Sequence, residues 1–166
     1  MTTIGERLYV ALQDERVRVL LEAWGEPYDW AQGDITTPWL NGMRGYDCSG
    51  FAQGALVHLG LIPPSARFQP NDRGAYQLAM DSERVPEGTE RLGDLAFYGT
   101  PVSHVMVVIA PGIVLGARGG GSSTHGDDPS AYVDLRPLRY RPLTAIGRLR
   151  QSSSASPDSI TGNIPA

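Results

Sequence analysis

The stretch Tyr46-Asp47-Cys48-Ser49-Gly50-Phe51-Ala52-Gln53-Gly54-Ala55-Leu56-Val57-His58-Leu59 leads from a glycine-bearing loop into a short, mostly apolar helix. The helix is predicted over residues 49–59, closed by Gly60 and then Pro63-Pro64. A thiol at the first turn of a helix feels the positive end of the dipole and nearby free amide hydrogens, which favour the thiolate. A lone cysteine is also often just a small buried hydrophobe. Position decides between the two readings, because a helix entrance after a glycine-bearing loop suits a nucleophile better than filler. Cys48 is therefore the candidate nucleophile, and its thiol is expected to outreact free cysteine near neutral pH.

Towards the N-terminus, residues 4–24 read as one helix. Leu8, Ala11, Leu12, Val19 and Trp24 share a face, while Glu6, Arg7, Asp14, Glu15 and Arg18 face water. Gly25 and Pro27 end it. Residues 28–46 have no period, and such a long loop is uncommon in a compact domain unless it lines a site. Its Trp39, Leu40 and Met43 can wall a cleft. Towards the C-terminus, residues 71–80 form a third helix with Asn71 as its N-cap.

The character then changes to β-branched and aromatic segments bounded by glycine and proline, at 94–98, 104–110, 113–117, 132–138 and 143–149. Pro111-Gly112 joins two of them as a tight hairpin. Helices first and strands after predict an α+β fold with an antiparallel sheet. Residues 151–166, with five serines, two prolines and no basic residue, read as a mobile tail behind a single domain spanning 1–150.

Composition narrows the function. The chain has 166 residues, 41% of them hydrophobic, and a formal charge of −4, which argues against a nucleic-acid partner. All 14 basic residues are arginine. One cysteine excludes a disulfide framework and a multi-cysteine zinc site, and His58, His104 and His125 leave little for a metal centre. No cofactor is expected. No stretch approaches the ~20 apolar residues of a membrane span, so no membrane partner is expected. The first residues show no secretory signal, so the chain is expected to stay in the cytoplasm until something other than that signal delivers it.

His104 opens the most apolar strand. Its plain reading is a packed core residue. At the strand's mouth it can also face a helix terminus across the domain. A cysteine at a helix start and a histidine at a strand start make a nucleophile and a base: imidazole takes the thiol proton and later protonates the leaving amine.

Four words occur in order: Gly25-Glu-Pro-Tyr28-Asp-Trp30, Asp47-Cys48-Ser49-Gly50-Phe51, Gly93-Asp94-Leu95-Ala-Phe97-Tyr98 and Ser103-His104-Val105. Together they resemble the NlpC-type cell-wall peptidases, a papain-like family that cleaves peptidoglycan stem peptides, over roughly residues 5–150. The resemblance implies N-terminal helices packed on a central antiparallel sheet, with Cys48 the nucleophile and His104 the general base. It implies Tyr28, Asp47 and Ser49 in the substrate cleft, and a Gly93-Asp94 turn that starts the sheet. It also implies cleavage of the γ-D-glutamyl link to a diamino acid, through a thioester, with helix-terminal amides holding the oxyanion. Residues 117–124 with 132–140 look most like the branch attached to phage tails, which implies particle proteins as partners.

Two departures stand out, one of them the loop between Tyr28 and Cys48, which is longer than the family's. The family places a polar residue that orients the imidazole on the strand after the histidine strand. Here that position is Gly116, and Arg118 has no acceptor to offer an imidazole N–H. Ser122, Ser123, Thr124 and His125, beyond the glycines at 119–121, are the candidates to replace it, His125 being the only imidazole past His104, and a main-chain carbonyl or water is the alternative. His58 reads as structural, and Asp127-Asp128 as a solvated pair. Arg136, Arg139, Tyr140 and Arg141 form a solvated strand edge unless the anionic wall or a partner docks there. Two rivals to the peptidase remain: amidase or acyl-transfer chemistry on the same fold, and a non-catalytic tail component with a decayed site.

Overall fold

The computed structural model describes residues 2–26, 47–67, 73–119 and 130–150. The expected first helix is in fact two, α1 (Ile4–Ala11) and α2 (Glu15–Leu21). Thr3 and Glu6 close a capping box at the start of α1. Asp14, expected on a water-facing helix surface, instead caps α2 by accepting from the Arg16 amide at 2.9 Å. An aspartate that finds a backbone N–H two residues on competes with helix continuation, and here that local bond prevails. The apolar face also differs: Val17, Leu20 and Ala23 are buried, whereas Trp24 is exposed.

Helix α3 (Cys48–His58) is apolar all round, and eight of its residues, from Cys48 to Leu56, are buried. Such a helix has to be enclosed by other elements. It packs on two strands, β3 (His104–Ala110) and β4 (Ile113–Arg118). A short 3-10 turn, Pro64–Arg67, follows. Helix α4 (Ala75–Met80) starts later than expected, after Gly74, which makes no side-chain cap bond. Asn71, the expected cap, lies outside the described residues.

The sheet also contains β1 (Ser82–Val85), β2 (Leu95–Tyr98), β5 (Tyr132–Pro137) and β6 (Leu143–Leu149). Its order is β1-β6-β2-β3-β4-β5, and every pairing is antiparallel. Strand β1 has no counterpart in the sequence reading, because Ser-Glu-Arg-Val is polar and lies half-exposed at the sheet edge. Every residue of β2 and β3 is buried. The reason is that both faces are covered. Leu95, Phe97, Val105, Val107 and Ile109 meet α3, while Ala96, Tyr98, Met106 and Val108 form a smaller cluster on the other face with Leu138 and Ile146.

Buried carboxylates hold the turns. Gly93 adopts φ +92°, a conformation that other residues rarely take, and hands the chain to Asp94. Asp94, almost fully buried, accepts the Arg91 amide at 2.9 Å and both arms of Arg148 at 2.8 and 2.9 Å. The pair ties the start of β2 to β6. Arg148 is about one-third exposed, so solvent screens part of the pair, and Arg148→Met is expected to lower stability by about 1–2 kcal/mol. Urea unfolding checks this, and an unchanged midpoint would show that Asp94 is satisfied by backbone alone.

Candidate active site

Asp47 precedes α3 and caps it, accepting the Gly50 amide at 2.6 Å and the Ser49 hydroxyl at 3.4 Å. Three residues of the Asp-Cys-Ser-Gly word are thus used to start the helix and point Cys48 at its first turn. The thiol is buried, and it faces the main-chain amides of Val105, Ser49 and Cys48 itself. Val105 is the residue after His104. Cys48 therefore lies against the end of β3 that His104 opens.

The imidazole occupies the opposite side of that strand end. Its ring is tilted against Tyr98, with centroids 5.7 Å apart. Strand alternation explains the division, since Val105 turns towards α3 and His104 towards Tyr98 and Met106.

The electrostatics correct the expectation of a preformed thiolate. Burial, followed by the neighbouring Asp47 carboxylate, pushes the Cys48 thiol from 9.0 up to about 11, against the opposing pull of the three amides. Burial, then the guanidiniums of Arg141 and Arg118, pull His104 from 6.5 down to about 4. Desolvation outweighs the helix dipole here. At neutral pH the resting pair is thiol and neutral imidazole.

A pH dependence of stability follows. The unfolded chain protonates His104 near 6.5, while the folded chain resists until about 4. His104 in its neutral form therefore favours the folded state fully above 6.5, and this contribution falls away as pH drops towards 4. The loss amounts to about 3 kcal/mol. Urea midpoints should fall over that window in the wild type and far less in His104→Gln. Identical profiles would contradict the assignment.

Gly116 is explained by packing. A Cβ there would come within 2.9 Å of Met106 Cγ and 3.2 Å of Met106 Cα. The position expected to orient the imidazole is therefore filled by its neighbour, and His104 Nε2 is buried with no hydrogen-bond partner among the described residues. Arg118 turns to Asp134 at 3.3 Å and lies over the Tyr132 ring. Tyr28, Ser122, Ser123, Thr124 and His125 lie outside the described residues.

The sequence reading missed Gln53 and the role of Tyr98. Gln53, one turn after Ser49, is buried, donates to the carbonyls of Ser49 and Arg73, and accepts the Arg73 amide. It holds α3 to the segment before α4, and its place on an otherwise apolar helix was the available signal. Tyr98 donates to the Leu138 carbonyl at 2.8 Å, and Tyr140 packs edge-on against it. Of the expected basic strand edge, Arg136 pairs with Asp134 and Arg139 with Glu87. Arg141 instead lies over Tyr98. Among the described residues, no group of three or more His, Cys, Asp or Glu is placed to hold a metal.

A cysteine heading a central helix, with a histidine at the mouth of the adjoining antiparallel strand, defines a papain-like α+β domain. The chain belongs to the NlpC/P60 family, whose model matches residues 25–137. It is 28% identical over 127 residues to the peptidoglycan endopeptidase RipB of Mycobacterium tuberculosis, covering 72% of this chain and 45% of that protein. The chain thus spans about half of that curated relative. The solved structure of RipB superposes with a TM-score of 0.55 at 19% identity, covering 91% of this chain and 70% of the other. The P60 domain of an antigen from M. avium subspecies paratuberculosis gives 0.53 at 24% identity, covering 87% and 98%. RipD of M. tuberculosis, described as a non-catalytic domain adapted to peptidoglycan binding, gives 0.52 at 24%, covering 92% and 100%.

Proposed function

We propose that this domain is a peptidoglycan-hydrolysing cysteine endopeptidase that cuts stem peptides at the γ-D-glutamyl link to a diamino acid. The observation that carries the reading is the Cys48 thiol at the head of α3, facing the amide of the residue next to His104. Because the resting thiol is protonated, the proton has to move to His104 as sulfur attacks the carbonyl carbon. The developing oxyanion is received by main-chain amides at the start of α3. Collapse of the tetrahedral intermediate breaks the C–N bond, and the imidazolium returns its proton to the leaving amine. Water, deprotonated by His104, then hydrolyses the thioester. Asp47 acts by fixing the start of α3, with Ser49 held on its carboxylate.

Digestion of purified peptidoglycan, with fragments read by mass spectrometry, tests the proposal. The expected products carry a new free D-glutamyl γ-carboxyl and a new amine on the diamino acid. Release at another bond would point to amidase chemistry. A second reading, binding to peptidoglycan without cleavage, is favoured by the missing side chain at Gly116 and by the likeness in fold to RipD. Co-sedimentation with sacculi and no new termini would establish it instead. Thiol labelling of the resting protein does not separate the two, because burial keeps Cys48 protonated either way.

A further inference from the structure

We infer that Arg141, with Arg118 on the other side of the imidazole, receives the substrate carboxylate nearest the scissile bond and so sets which stem peptides are cut. This recognition presupposes the proposed Cys/His cleavage. Tyr98 and His104 are paired across β2 and β3. Continuing the Val107–Leu115 pairing to the strand ends puts Arg118 opposite His104, and Arg118 is itself paired with Tyr132 on β5. Directly opposed residues share a face of the sheet. Tyr98, His104, Arg118 and Tyr132 therefore form one row across the end of the sheet. Arg118 lies over the Tyr132 ring at 5.4 Å, and Arg141, from the β5–β6 turn, lies over the Tyr98 ring at 5.8 Å. The imidazole thus takes its place in the row between two rings that each carry a guanidinium.

This corner holds more positive charge than its carboxylates balance. Asp134 is shared between Arg136 at 2.6 Å and Arg118 at 3.3 Å, and it also accepts the Leu135 amide. Glu87 takes both arms of Arg139. No carboxylate among the described residues pairs with Arg141, which is exposed. The charges of Arg141 and Arg118 both reach His104 and weaken its hold on a proton. Such a base is hindered until an anion arrives, and an anion carried by the substrate relieves it at the moment of attack.

The γ-D-glutamyl link supplies that anion. Its free α-carboxylate is four carbon–carbon bonds from the scissile carbonyl carbon, about 5 Å when extended. A cation that receives it has to flank the catalytic residues, as Arg118 and Arg141 do. A carboxylate at the far end of the diamino acid side chain lies further from the reacting carbon. The guanidinium suits the task, because its planar fork of donors matches both carboxylate oxygens. The Tyr98 ring beneath Arg141 steadies it without using those donors.

The test compares two synthetic stem peptides, one with the D-glutamyl α-carboxylate free and one with it amidated. Wild-type kcat/KM is expected to favour the free carboxylate about 10- to 100-fold. In Arg141→Gln the ratio should fall towards one, while Arg141→Lys, which keeps the charge, should retain part of it. A change in the imidazole itself alters both substrates alike, so the ratio isolates the contact. Equal rates in the wild type, or an undiminished ratio in Arg141→Gln, would overturn the inference. So would a preference that follows amidation of the diamino acid's carboxylate instead. Calorimetry of both peptides with Cys48→Ala, alone and combined with Arg141→Gln, separates this role from the hydrolase reading. Should the wild type cleave neither peptide, the hydrolase reading falls. Tighter binding of the free carboxylate, lost in Arg141→Gln, would still uphold the role, and equal affinities would overturn it.

Discussion

Cys48→Ala is expected to abolish stem-peptide hydrolysis, by at least about 10⁴-fold, with the fold retained. The sulfur lies at the first turn of α3 with its surroundings in place: a capping Asp47, three main-chain amides and the His104 strand. Removing it deletes the attacking atom and little else. The side chain is buried but small, so the cost in stability should be about 1 kcal/mol. Cys48→Ser should be nearly as inactive, because a hydroxyl gives up its proton less readily than a thiol already raised to about 11. Hydrolysis is measured on soluble muropeptides, and folding by circular dichroism and thermal midpoint. Turnover near the wild-type rate in a folded Cys48→Ala protein would remove the nucleophile from the mechanism.

The second large effect concerns the base. With the thiol at about 11 and the imidazole at about 4, neither is ionised between those limits. The wild-type kcat/KM should therefore show an acid limb near pH 4, where His104 gains its proton and stops acting as a base. Above that it should stay level through neutrality. In His104→Ala, proton removal is left to solvent, and only the small thiolate fraction can attack. At pH 7 that fraction is about 10⁻⁴, so a rate loss on the order of 10³- to 10⁴-fold is expected. The residual rate should rise about tenfold per pH unit up to about 11. This slope is the diagnostic, since a variant that had merely misfolded would not recover with base. A wild-type acid limb between pH 6 and 7 would contradict the neutral resting pair. A His104→Ala enzyme with a flat profile would remove His104 as the base.

Much of the architecture is legible in local chemistry. Strands β3 and β6 fall at their expected residues, and α3 begins one residue early at Cys48. Pro111-Gly112 forms its hairpin, with Gly112 at φ +78°. Period-two alternation was not what located β2 and β3, because both faces are buried; their β-branched and aromatic content was. The failures are equally local in cause. Asp14 looked like a surface residue because hydrophobic periodicity says nothing about which polar side chain will bond its own backbone. Strand β1 escaped notice because its pairing with β6, not its own sequence, makes it a strand.

For the site, the Asp47 cap is read only from the fold, whereas the sequence by itself named Cys48 and His104 as the candidate pair and placed Cys48 at a helix start. Those follow from short words whose geometry is set within a turn or two of chain. Only the tertiary structure decided how the pair is ionised and what surrounds the imidazole. Both depend on groups far apart in sequence: β3 and the amide of Val105 close over Cys48, and Arg118, Arg141 and Tyr98 close around His104. The helix dipole is a local property and points to a thiolate, whereas desolvation is a property of the packed core and reverses it. Gly116 likewise reads in sequence as a lost polar side chain. In the fold it is space taken by Met106, because cross-strand contact, not the strand's own pattern, sets how much room a side chain has.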